Sequence, residues 1–352
     1  MTSQSNQYQY VNYLWDDQVA DQLDPVERLR YRSNILGRDR SVVNIYGGNT
    51  SAKLTLRDHM GRETRVLAVK ASGSDILTIT APQFALLRMD DIDPLFEREA
   101  MTDEEMVAYL ERTVFEPGRP RQSIETLLHA FIPEAHVDHT HPDVIISLAT
   151  APDAEAASRA VYGDRMAYVP YIRPGFTLSK WIGQKVRENP RIECVVMGKH
   201  GLVTWGADSK TTYDMTIRII QEAEDYLAEQ QRGKRVFGNL TVSGLSDEAR
   251  EEILLQVLPV ARGAVSRRRS AILQVDSSPE VLEYVGSERT GDVCQLGAAC
   301  PDHLVHVKRQ PLFVDWQPGE GVEALKSKLA RGIDAYEVSY QQYFDENMEP
   351  GD

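Results

Sequence analysis

Between residues 42 and 205 the apolar residues fall in short runs, and this punctuation limits what the chain can fold into. The runs are 52–56, 65–69, 76–80, 135–141, 192–197 and 202–205. They are rich in Val, Ile and Leu and too short for helices, and Gly-containing or small polar turns break them, so they read as strands. Helical spacing fills other stretches. Asp24 and Pro25 open a helix that ends near Gly37, and residues 123–131 read as another. Pro142 starts a helix, and residues 211–231 place Met215, Ile219, Ala223 and Leu227 on one face. A mixed α/β domain over residues 1–232 is therefore expected. Residues 231–244 are polar and Gly-containing, a linker by composition. Ser246 then caps a long helix with Asp247 and Glu248 in its first turn, and a smaller αβ segment is expected over 245–352.

Composition narrows the function classes. The 352 residues are 42% apolar and 26% charged, which suits an ordinary globular protein. No run approaches the roughly 20 apolar residues that span a bilayer. The polar, acidic N-terminus lacks the basic start and apolar core of a signal peptide, so a cytoplasmic protein without a membrane partner is expected. A net charge of −14 argues against a nucleic-acid partner, and the Arg267-Arg268-Arg269 run reads as a solvated helix end. Three scattered cysteines, Cys194, Cys294 and Cys300, fit a reducing compartment. There is no G-x-G-x-x-G after a strand and no G-x-x-x-x-G-K-[ST], so nothing supports a nicotinamide or ATP site.

The chemistry-bearing segment is Val137-Asp138-His139-Thr140-His141. Residues two apart on a strand share a face, so His139 and His141 can hold one metal ion between them. His200 is suited to be the third ligand, because it interrupts two apolar strands and precedes Gly201, where the chain can turn sharply. Three neutral imidazoles suit Zn²⁺ or another divalent ion such as Mn²⁺, Co²⁺ or Fe²⁺, and leave a coordination position open. His-x-His is also short and common as a pair of plain strand-end residues. His59, His129, His136, His303 and His306 have weaker claims, and Cys300-x-x-His303-x-x-His306 lacks a fourth ligand. Glu125, beside Ile124, Leu127 and Leu128, is the candidate acid/base, with a carboxyl raised by desolvation. The same Glu in a helix's first turn equally serves the helix dipole. The turns at residues 48–51 and 72–73 can each offer N–H and hydroxyl groups to a phosphate, as many plain turns can.

In order, Gly48-Asn49-Thr50-Ser51, Ser72-Gly73, Ser123-Ile124-Glu125, His139-Thr140-His141 and Lys199-His200-Gly201 resemble the class II aldolase/adducin family. The resemblance runs from about residue 24 to about 232. It implies a three-layer αβα domain with a largely antiparallel central sheet, assembled as a homotetramer with active sites between subunits. It implies metal ligation by His139, His141 and His200, and Glu125 as the acid/base of carbon–carbon cleavage, since the epimerases of the family tend to carry Asp there. Asn49, Ser72, Gly73 and Ser123 would match phosphate-binding positions, and Tyr171 the Tyr that serves a neighbouring subunit's site. One departure is Ile124, where fuculose-phosphate aldolases have a second Ser. The retained histidines disfavour an adducin-like, metal-free binding role. The wording around Glu125 and His139, with Cys300-Pro301-Asp302-His303-Leu304 and Lys308, is similar to the aldolase half of bifunctional rhamnulose 1-phosphate aldolase/alcohol dehydrogenases. The resemblance thus implies a stand-alone aldolase relative, or the N-terminal part of a longer polypeptide, acting on a ketose 1-phosphate such as rhamnulose 1-phosphate. A 4-epimerase on the same scaffold is the alternative.

Overall fold

The computed structural model describes residues 9–242 and 244–348. The chain divides into two compact units, Met1–Arg232 with Ala299–Val307, and Gly233–Ala298 with Lys308–Asp352.

The first unit is built on seven strands: β1 (Asn49–Arg57), β2 (Glu63–Lys70), β3 (Phe84–Arg88), β4 (His136–Thr140), β5 (Met166–Val169), β6 (Cys194–Met197) and β7 (Gly201–Gly206). They form one sheet in the order β3-β2-β1-β4-β7-β6-β5. Every pairing is antiparallel except β5 with β6. Helices cover both faces. On one face Val137, Val195, Val203 and Trp205 pack against Leu178, Ile182 and Val186 of the helix Phe176–Glu188. On the other, Val196 and Leu202 meet Ile217 and Ile220 of the helix Ser209–Gln231. The period-2 alternation of the strands divides these two cores, giving three layers with the sheet in the middle.

Local signals set the helix bounds. The Asp24 side chain accepts from Val26 and Glu27 N–H at the start of Pro25–Arg38. Pro142 precedes the helix Asp143–Ala149, where its missing N–H costs nothing. The expected strand at 76–80 does not form. Ile76 and Ile79 are buried, but Asn34 Nδ2 donates to both of their carbonyls at 3.0 and 3.1 Å, and Asp75 accepts from Leu77 N at 2.7 Å. A side chain therefore satisfies the carbonyls that a ladder would have used. The edge strand is β3 instead.

In the second unit the helix Asp247–Val265 packs along the helix Val322–Asn347. Ser246 Oγ accepts from Ala249 N, as its sequence suggests. The segment expected as αβ is helical, with no strand among its described residues. Its apolar residues Ile272, Leu273 and Val275 are exposed, Ile272 at 98%, and lie between the Arg run and the start of the helix Pro279–Val285, so no apolar face holds them in a sheet. Arg267 and Arg268 pair with Asp334 and Glu337 at 2.6 and 2.8 Å. Among the described residues no helix is long and apolar enough to cross a membrane.

Candidate metal centre

The site grows from the centre of the sheet. β4 carries His139 on the face shared with Val137, and Asp138 on the opposite face. Asp138 pairs with Arg32 at 3.0 Å, both fully buried, and Arg32 Nη2 also donates to the carbonyl of Ser51 at 2.7 Å. One strand thus anchors itself through Asp138 on one side and presents His139 on the other. His139 stands opposite Asn49 in the β1–β4 register.

His200 lies in the β6–β7 hairpin. The left-handed residue there is Lys199, with φ of 52°, not Gly201. Gly201 is required for space: a Cβ on it would come within 2.5 Å of the Thr140 carbonyl oxygen and 2.8 Å of His141 Cδ2. Gly48, at φ 69°, is excluded from bearing a side chain by the His139 carbonyl oxygen at 2.4 Å from its would-be Cβ.

His139, His141 and His200 are all buried, and their ligand atoms lie within 4.8 Å of one another. His139 Nδ1 faces the Leu202 carbonyl oxygen at 2.9 Å, and His141 Nδ1 faces the Asp302 carboxylate at 2.6 Å. Both Nδ1 atoms therefore carry the proton, which leaves both Nε2 lone pairs free. Those two Nε2 atoms stand 2.9 Å apart. Two bare lone pairs at that distance repel unless a proton or a metal cation lies between them, and the three buried ligand nitrogens fit a divalent ion.

Glu125 is buried just ahead of the helix Thr126–Phe131, in the N-cap position, yet its side chain makes no cap hydrogen bond. Asn49 Nδ2 donates to Oε2 at 2.7 Å. Oε1 has no hydrogen-bond partner and lies 3.2 Å from His200 Nε2 and 3.4 Å from His139 Nε2. Desolvation was expected to raise this carboxyl. Burial does push it up, but the His139 and His200 imidazoles outweigh burial and hold it well below its ordinary value. Burial opposes ionisation of His139, but Glu125 reverses the balance and raises it. Burial with the neighbouring imidazoles lowers His141 to about 4 despite Asp302.

A cavity of about 680 Å³ opens above this floor. Asn49, Ser72, Gly73, Ser123, Glu125, His141 and His200 line it, so most of the residues singled out by sequence meet here. Asn49 is heavily committed, donating to Glu125 and to Ser123 Oγ and pairing with His129 Nε2. His129 is thereby a support of the site, also 2.8 Å from Ser51 Oγ. Gly73 has φ of 77° and open space where a Cβ would stand. Tyr171 is 56% exposed and does not line the cavity.

Two charged lining residues were given no role from sequence. Lys70, 5% exposed, ends the otherwise apolar run 66–70, and a charge closing such a run was the available signal. Its ammonium has one weak contact, the Ala71 carbonyl at 3.4 Å, and desolvation lowers it against the pull of Glu125, Asp75 and Asp302. Asp302 lies far along the chain and had no local signal.

Comparison with known proteins fits this geometry. Residues 28–227 match the class II aldolase and adducin N-terminal domain, and residues 252–352 match the second domain of class II aldolases. A Bacillus subtilis (strain 168) protein named uncharacterized oxidoreductase YuxG is 49% identical over 344 residues. The match covers 97% of this chain and 50% of that protein, so the chain spans about half its relative's length. The N-terminal class II aldolase domain of a conserved protein from Thermoplasma acidophilum is 37% identical, with a TM-score of 0.55, over 62% of this chain and 98% of that one.

Proposed function

Because the chain belongs to the class II aldolase and adducin family, we propose that it is a metal-dependent lyase that cleaves a ketose 1-phosphate to dihydroxyacetone phosphate and an aldehyde. The carrying observation is Glu125 Oε1, buried and facing the imidazoles of His139 and His200 at the floor of a polar cavity. A buried carboxylate oxygen that faces the imidazoles instead of capping the helix beside it is placed for proton transfer, and this supports the reading.

His139, His141 and His200 would hold Zn²⁺ or a similar divalent ion, which supplies Lewis acidity toward the substrate's carbonyl and hydroxyl oxygens. In cleavage the C4 hydroxyl loses a proton, the C3–C4 bond breaks, and C3 gains a proton. Glu125 delivers that proton to C3. It rests ionised, so it must first receive the proton released at the C4 hydroxyl, and in condensation it enters directly as the base. Tyr171, exposed on its own chain, would relay that proton in a neighbouring subunit's site within a homotetramer, passing its own phenolic proton toward Glu125 as it accepts the one from the C4 hydroxyl. Ser72, Gly73 and Ser123 would receive the phosphate with Asn49 holding Ser123 and Glu125 in place, and Lys70 would supply the positive charge. The three free, buried cysteines support a cytoplasmic setting.

The test is a screen of ketose 1-phosphates, including rhamnulose 1-phosphate, for release of dihydroxyacetone phosphate and lactaldehyde. Recovery of a 4-epimer without free aldehyde would replace the lyase reading with an epimerase. Turnover of no ketose phosphate by metal-loaded protein would overturn both.

A further inference from the structure

The His141 imidazole is held from behind by a segment nearly 160 residues downstream. Ala299–Val307 belongs to the same compact unit as the sheet, and its short helix Pro301–His306 lies along the cavity. Asp302 Oδ2 stands 2.6 Å from His141 Nδ1, the nitrogen turned away from His139 and His200. Asp302 is mostly buried, with its side chain 13% exposed. The loop ahead of β1 is cleared for this contact. Gly47 has no Cβ, and one placed there would lie 2.9 Å from both Asp302 Oδ2 and His141 Nδ1.

We propose that Asp302 is a positioning residue for the metal centre: its carboxylate accepts the Nδ1 proton of His141 and so fixes the tautomer and ring orientation that present Nε2 to the ion. His139 achieves the same with the Leu202 carbonyl. A carboxylate behind a ligating imidazole does more than a carbonyl, because its charge makes the ligand more basic, and such partners are typically worth about 10–100-fold in metal affinity. The sequence run Cys300-x-x-His303-x-x-His306 thus contributes through the residue between its Cys and His. His303 Nδ1 instead accepts from the Ala299 N–H at 3.2 Å.

This inference rests on the metal reading, and its test separates the two. Zn²⁺ affinity is measured by competition with a chromophoric chelator for the full chain and for Asp302→Ala, Asp302→Asn and His306→Ala. Asp302→Ala should weaken Zn²⁺ about 10–100-fold, Asp302→Asn less because a neutral acceptor remains, and His306→Ala should bind as the wild type does. In the metal-free proteins, ¹⁵N-histidine spectra should show His141 protonated at Nδ1 in the wild type and a mixture of tautomers in Asp302→Ala. Unchanged affinity and an unchanged tautomer in Asp302→Ala would overturn the proposal, as would an equal loss in His306→Ala, which would reduce Asp302 to packing. A wild-type chain that takes up no Zn²⁺ would overturn the metal reading itself, and this proposal with it.

Discussion

Replacing Glu125 by Gln separates a metal protein from a metal enzyme. The substitution keeps the size of the side chain and one carbonyl oxygen, which can still accept from Asn49 Nδ2, now 2.7 Å from the carboxylate. Its new amide then points where Oε1 stood, toward His139 and His200. A hydrogen bond to a charged acceptor is worth about 1.5–3 kcal/mol and a neutral one about 0.5–1.5, and losing the charge also relieves desolvation, so stability should move by no more than about 1.5 kcal/mol. The three imidazoles remain, so metal content should stay near wild type. The proton transfer has no substitute. Such groups contribute about 10²–10⁴-fold, equivalent to about 2.7–5.4 kcal/mol of barrier. The assay is solvent exchange of the C3 proton of dihydroxyacetone phosphate, followed by NMR, because this half-reaction needs Glu125 and no aldehyde. Exchange should slow at least as much as cleavage. Exchange at the wild-type rate with metal still bound would refute the assignment and leave Glu125 as a support for Asn49.

Gly201→Ala should sharply reduce metal content, because its Cβ would meet the Thr140 carbonyl at 2.5 Å and His141 Cδ2 at 2.8 Å; elemental analysis of folded protein checks this. Asp138→Ala should destabilise the chain by about 3–5 kcal/mol in urea unfolding, because it leaves the fully buried Arg32 guanidinium without its partner at 3.0 Å. Stability should also fall with acid through His136, which desolvation and the Arg32 guanidinium lower to about 3. The folded state then binds fewer protons than the unfolded chain below the ordinary value of about 6.5, so this contribution is complete above that pH and is lost as pH falls toward 3, at up to about 1.4 kcal/mol per pH unit. His136→Gln should flatten that part of the pH–stability curve.

What could be read from sequence was what depends on short range. Strand period put His139 and His141 on one face, and the caps at Asp24 and Ser246 marked helix starts, because those interactions close within a few residues. The strand expected at 76–80 failed because a side chain on another helix, Asn34, takes its carbonyls, and burial alone does not report which partner satisfies the backbone. Glu125 was found, but its pKa direction was not, since desolvation is visible in its apolar neighbours while His139 and His200 reach it only through the fold. Asn49 was expected at a phosphate and holds Glu125, Ser123 and His129 together, a role set by its register opposite His139. Lys70 and Asp302 come to the cavity from separate segments, and Asp302 crosses most of the chain to do so.

The most direct measurement is metal stoichiometry in the purified full chain. After Zn²⁺ loading and desalting, the wild type should retain about one ion per chain, Glu125→Gln should retain about the same, and His139→Ala and His200→Ala should lose it while keeping the wild-type circular dichroism. A folded wild-type chain that stays metal-free, or histidine variants that hold the ion as tightly as the wild type, would contradict the account at its centre.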